Sequence, residues 1–135
     1  MKNQTDLVHG WMAKADSDLL VVRKMLEGSG PYDTACFHAQ QAIEKMLKSW
    51  LLFHGLHIPR THDLEELQHS CLEIQSLPEL THLDLIQTSD YAVMARYDFD
   101  FWPDRATAVA ALSLAEQVRR IILSALPIDA PFINR

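Results

Sequence analysis

The stretch YDTACFHAQQAIEKMLKSWLLF, residues Tyr32–Phe53, decides the fold. It holds neither Gly nor Pro, and its middle is rich in good helix formers. Pro31 stands just before it, where a first helical turn tolerates proline, and Gly55 stands just after it. Wound at about 3.6 residues per turn, Ala35, Ala39, Ala42, Ile43, Met46, Leu47, Trp50 and Leu51 cover well over half the circumference. A helix this apolar is packed by neighbours on more than one side. His38, Gln41, Lys45 and Lys48 follow one another at spacings of three, four and three, so they share the narrow stripe that is left.

Two readings of that stripe stand side by side. It is a solvated face on an otherwise buried helix, or it is a polar groove that meets an anion or a partner. Two lysines beside a His and a Gln can present several donors to phosphate oxygens. If the lysines are exposed, replacing both by Gln removes binding and scarcely touches stability. If Lys45 is paired with a buried carboxylate, the same change orphans a charge and destabilises the fold.

Outward from the central stretch, a first helix is expected over about 5–27, capped by Thr5 or Asp6 and ended by Gly28 and Gly30. Its apolar face reads Leu7, Trp11, Ala15, Leu19, Val22 and Leu26, with Lys14, Asp18 and Arg23 away from it. The short loop 28–31 makes this helix and the central one antiparallel neighbours. Downstream, Pro59 keeps 54–61 from being helical, and Thr61 is expected to cap a helix over 62–74 that buries Leu64, Leu67, Cys71 and Ile74. Past Leu77-Pro78, a helix over 79–95 carries Leu80, Leu83, Ile86, Tyr91, Val93 and Met94. Tyr97, Phe99 and Phe101 then alternate with acids in a strand-like period. Without a partner strand, this reads as an aromatic-pinned loop. Pro103-Asp104 opens a last helix to about 126, lined by Ala106, Ala110, Leu114, Val118, Ile121 and Ile122. The expected architecture is one all-α domain, residues 1–135, with about five helices. It is an up-and-down bundle built on two long antiparallel helices, with its core at about 5–126 and a tail at 127–135.

Composition narrows the function. At 135 residues with 48% hydrophobic and 22% charged residues, the chain is that of an ordinary soluble globular protein. No apolar run is long enough to span a bilayer, and MKNQTDL has no hydrophobic signal core, so a cytoplasmic protein with no membrane partner is expected. Cys36 and Cys71 lie in apolar helical patterns and read as small core residues in a reducing compartment. A net charge of −6 argues against broad nucleic-acid binding, while leaving room for a small basic groove.

Standard chemical motifs are absent. His54-x-x-His57 lacks a third ligand at a familiar spacing, so neither a metal nor another cofactor is expected. There is no nucleophile elbow and no phosphate-binding glycine loop. His62 opens a helix, either as part of its cap or as a contact for an anion held at the free N–H groups. Arg96 ends a helix, where it meets the negative dipole end or is presented to a phosphate or carboxylate.

Three pieces stand in order: Phe37-His38-Ala39-Gln40-Gln41-Ala42-Ile43-Glu44-Lys45-Met46-Leu47-Lys48, then Thr61-His62-Asp63-Leu64, then Ala95-Arg96-Tyr97. With the helical pattern, they make the chain resemble the HEPN domain family (higher eukaryotes and prokaryotes nucleotide-binding). The resemblance implies a helical bundle that commonly pairs as a two-fold homodimer. It implies a nucleotide-binding role and, in prokaryotic members, a minimal nucleotidyltransferase partner in a toxin–antitoxin-like or regulatory pair. The polar residues that correspond by position are His38, Gln41, Lys45, Lys48, His62, Arg96 and Tyr97. Many members are metal-independent ribonucleases with an R-x4-6-H motif late in the chain. Here no arginine has a histidine at that spacing; after Arg96 the positions hold Phe101, Trp102 and Pro103.

The reading is therefore a non-catalytic binding module for a nucleotide or a nucleotidyltransferase partner. One alternative is a ribonuclease acting on RNA through a non-standard set such as Arg96 with His38 or His62. The other is a purely structural dimerisation module. Surplus apolar residues, Trp11, Trp50, Trp102, Ile128, Phe132 and Ile133, are the sequence feature that supports a dimer.

Overall fold

The computed structural model describes residues 2–127, and among them every regular element is a helix. They are α1 (Gln4–Glu27), α2 (Tyr32–Phe53), α3 (Leu64–Ile74), α4 (Pro78–Thr81), α5 (Ile86–Tyr97) and α6 (Arg105–Ala125). The central helix has the bounds its sequence predicts, and α1, α3, α5 and α6 all pack on it. All eight residues of its expected apolar face are buried. Trp50 is therefore core, and cannot count as surplus surface for a dimer. Ile128, Phe132 and Ile133 lie outside the described residues.

The antiparallel pairing of α1 and α2 is fixed at both ends. Gly30 takes a positive φ of 98° in the connecting turn, a conformation that favours glycine. At the far end the Gln4 amide donates to the Leu52 and Phe53 carbonyls at the C-terminus of α2. A capping box between Asn3 and Asp6 starts α1, two residues ahead of the expected Thr5. The first turn of α1 shifts with it: Val8 and Met12 are buried, whereas Leu7 is exposed and Trp11 half-buried. Asp18, expected to lie away from the apolar face, is buried within it.

Elsewhere the differences have local causes. Asp63, rather than Thr61, caps α3, accepting from the Glu65 and Glu66 amides. The expected helix over 79–95 is split into α4 and α5. The Gln68 amide of α3 donates to the Leu80 and Leu83 carbonyls at 2.7 and 3.0 Å, capturing acceptors near the break. Asp84 then accepts from the Ile86 amide at 3.1 Å and restarts the chain as α5. Ile86 and Val93 face out, while Leu85, Thr88, Tyr91 and Ala92 face in. In α6 the inner face is Ala108, Ala111, Ala115, Val118, Ile121 and Ile122, so Ala106 and Ala110 are exposed. The loop between α5 and α6 is pinned by Phe101 stacked on Tyr91, with ring centroids 5.4 Å apart. Phe99 and Trp102 are exposed.

Candidate functional site

The polar line of α2 is organised around two buried carboxylates. Asp18 on α1 accepts from His38 Nδ1 at 2.8 Å and from Lys45 Nζ at 2.6 Å, one donor on each oxygen. His38 and Lys45 are seven residues apart, hence on one flank of α2, the flank that meets α1. Glu44 on α2 accepts from Lys48 Nζ at 3.0 Å on one oxygen, and from His62 Nδ1 at 2.7 Å on the other. The exposures of Asp18, Glu44 and Lys48 are 7%, 5% and 6%, so these charges depend on one another for solvation.

A hydrogen-bond chain joins Glu44 to the rest of the line. Gln40, fully buried, donates through Nε2 to Glu44 Oε1 at 3.3 Å and to the His62 carbonyl at 3.0 Å. Its own Oε1 accepts from Gln41 Nε2 at 2.7 Å. Gln40 therefore fastens the loop before α3 to α2, and Glu44 fixes the imidazole that this loop carries. An ionised carboxylate can only accept, so Nδ1 is the donor in both pairs, and Nε2 is the ring nitrogen that each pair leaves over.

Arg96 reaches the line from the last turn of α5. Its Nε donates to the Ala92 carbonyl at 2.7 Å, and its guanidinium lies 5.4 Å from the Phe37 ring centroid and 5.1 Å from that of Tyr97. Phe37 also meets the His38 ring edge-on, at 5.4 Å between centroids. Arg96 thus stands at the His38 end of the line, and its terminal Nη groups have no acceptor among the described residues.

Of the seven residues singled out from sequence, His38 and Lys45 meet at Asp18, Lys48 and His62 meet at Glu44, and Gln41 joins through Gln40. Arg96 and Tyr97 approach through Phe37. Sequence reasoning missed Asp18, Gln40 and Glu44. Signals for them were present. Ala15, Asp18, Leu19 and Val22 follow the spacing of one helix face, so an acid there needs a cation. Gln40, Glu44 and Lys48 are four apart, the spacing of facing side chains.

The thiols take no part. Burial, with smaller contributions from Asp33 and Asp104, pushes Cys36 up to about 12, and burial pushes Cys71 to about 12. Both stay protonated and poorly nucleophilic at neutral pH. Among the described residues no three His, Cys, Asp or Glu side chains are grouped to hold a metal ion, and no helix is long and apolar enough to cross a membrane.

In comparison with known families, the HEPN domain matches residues 8–125. No curated protein and no solved structure matches the chain.

Proposed function

This chain belongs to the HEPN domain family, and on that premise we propose that it is a single-domain, nucleotide-associated binding module, homodimeric and cytoplasmic, that acts with a minimal nucleotidyltransferase protein in a toxin–antitoxin-like or regulatory pair. The observation that carries the binding reading is what remains outward-facing once the two buried carboxylates are satisfied. The His62 side chain is 61% exposed, with Nδ1 held by Glu44, which leaves Nε2 for a ligand. Arg96 and Tyr97 are exposed beside Phe37, with the Arg96 Nη donors uncommitted. A guanidinium between two rings is held in place for a phosphate or carboxylate oxygen. In this reading His38, Gln41, Lys45 and Lys48 hold the surface, and His62, Arg96 and Tyr97 make the contact.

Dimerisation draws support from the outer face of α5 and the loop after it. Ile86, Val93, Phe99 and Trp102 are all exposed there, large apolar side chains for a partner copy to cover.

The test is co-expression with a minimal nucleotidyltransferase, followed by co-purification, mass analysis for bound or covalent nucleotide, and light scattering. The expected result is a dimer that retains nucleotide or partner, with retention reduced at least tenfold in Arg96→Ala at an unchanged melting temperature. A monomer at tens of micromolar that retains neither would overturn the proposal.

A second reading, a metal-independent ribonuclease, draws on the Glu44–His62 pair. A carboxylate-fixed imidazole with a free Nε2 has the form of a general base. RNA cleavage in chelator that disappears in His62→Ala would replace the first reading with this one.

A further inference from the structure

A groove of about 430 Å³ runs along the first turns of α1 and reaches Lys45 of the α2 polar line. Leu7, Gly10 and Trp11 line it, with Lys2, Lys14 and Lys45 as its cations and Asp6 as its one acid. The volume lies in the range of small-molecule sites, of order 300–1,000 Å³. Leu7 is exposed and Trp11 half-buried, although both belong to residue types that favour the interior.

The charges of the groove are unevenly committed. Asp6 is occupied at the helix start, accepting from the Asn3 amide at 3.1 Å in the capping box. Lys45 gives one N–H to Asp18 at 2.6 Å and retains two. Lys2 and Lys14 have no acidic partner among the described residues. In a chain of net charge −6, this is a local excess of positive charge around an indole. The arrangement suits a ligand with a flat ring and an anionic head. The ring lies on Trp11 and Leu7, while the head meets Lys14 and the remaining N–H groups of Lys45.

Gly10 gives this groove its depth and offers a clean way to close it. A Cβ built there meets no atom within 4 Å, so a side chain at position 10 would extend into open space. Within a helix, Gly is also the least favourable residue apart from Pro. A larger residue therefore fills the groove without disturbing the bundle.

We propose that the groove formed by Leu7, Gly10, Trp11, Lys14 and Lys45 is a second ligand site, specific for a small aromatic anion and separate from the His62–Arg96–Tyr97 surface. The experiment follows the three tryptophan indole N–H signals by two-dimensional NMR, with Trp11 assigned by Trp11→Phe. Phenyl phosphate, benzoate and inorganic phosphate are titrated separately. The Trp11 signal is expected to shift saturably with phenyl phosphate or benzoate, and whichever acts at lower concentration identifies the anionic head. Gly10→Met should abolish the shift while melting no lower than wild type. Lys14→Glu should weaken binding at least tenfold, and Arg96→Ala should leave it unchanged. No shift with either aromatic anion would overturn the site. So would an equal response to inorganic phosphate alone, or undiminished binding by Gly10→Met.

Discussion

Asp18 and Glu44 are both buried carboxylates gripped by one imidazole and one ammonium, yet the two grips do different things. Asp18 draws both partners from α2 across to α1, so its cluster locks the two longest helices together. Glu44 pairs with Lys48 on its own helix and with His62 on the loop before α3. The first cluster lets its donors reach water, with the Lys45 and His38 side chains 24% and 28% exposed. The second buries its lysine, at 8%, and turns its imidazole outward. One donor set thus serves cohesion in one place and presentation in the other. The deciding variable is which partner keeps access to solvent.

That contrast orders the expected mutational effects. Glu44→Ala strips Lys48 of its partner inside the bundle and should cost about 3–5 kcal/mol in urea denaturation, because a buried charge left alone is hard to accommodate. A loss below about 1 kcal/mol would mean that Lys48 simply swings out to water. Asp18→Asn should cost less, about 1–3 kcal/mol, since Lys45 and His38 already touch solvent. Equal losses at the two sites would erase the distinction between a sealed cluster and a wet one.

The smallest effect concerns chemistry beside the clusters. Cys36 lies two residues before His38, and Cys71 Sγ donates to the carbonyl of Leu47, next to Lys48. Both thiols are fully buried in the hydrophobic core, where water does not reach them. With values pushed up to about 12, both remain thiols far above neutral pH and lack the reactive thiolate. At pH 8 the folded chain should resist iodoacetamide, whereas the urea-unfolded chain should take two labels. Rapid labelling of either cysteine in the folded chain would show that the core around it opens to solvent.

The sequence was most legible where one period ran long between clear stops. Tyr32–Phe53 sits between Pro31 and Gly55 and repeats its apolar residues without interruption, so both its bounds and its buried face were readable. The run TAVAALSLA in α6 was less so, because alanines on every side leave the period ambiguous and packing sets the inner face. The break between α4 and α5 depends on Gln68, an amide from another helix that no local pattern around the break contains. For the candidate site, the cations were visible as a stripe. Their acids were not, because Asp18 lies on a different helix and Glu44 was overlooked beside the lysines it serves. A stripe of donors on a buried helix is incomplete until the acceptors that permit its burial are found.

The most direct test of the claim that the α2 lysines are tied to buried carboxylates is a double-mutant cycle on Glu44 and Lys48, measured by urea denaturation. Glu44→Gln, Lys48→Met and the double variant are compared with wild type. Each single change should destabilise the fold, and the double should recover much of the loss, giving a coupling of about 2 kcal/mol or more. Single losses that merely add, each below about 0.5 kcal/mol, would contradict the account and return the lysines to a solvated face.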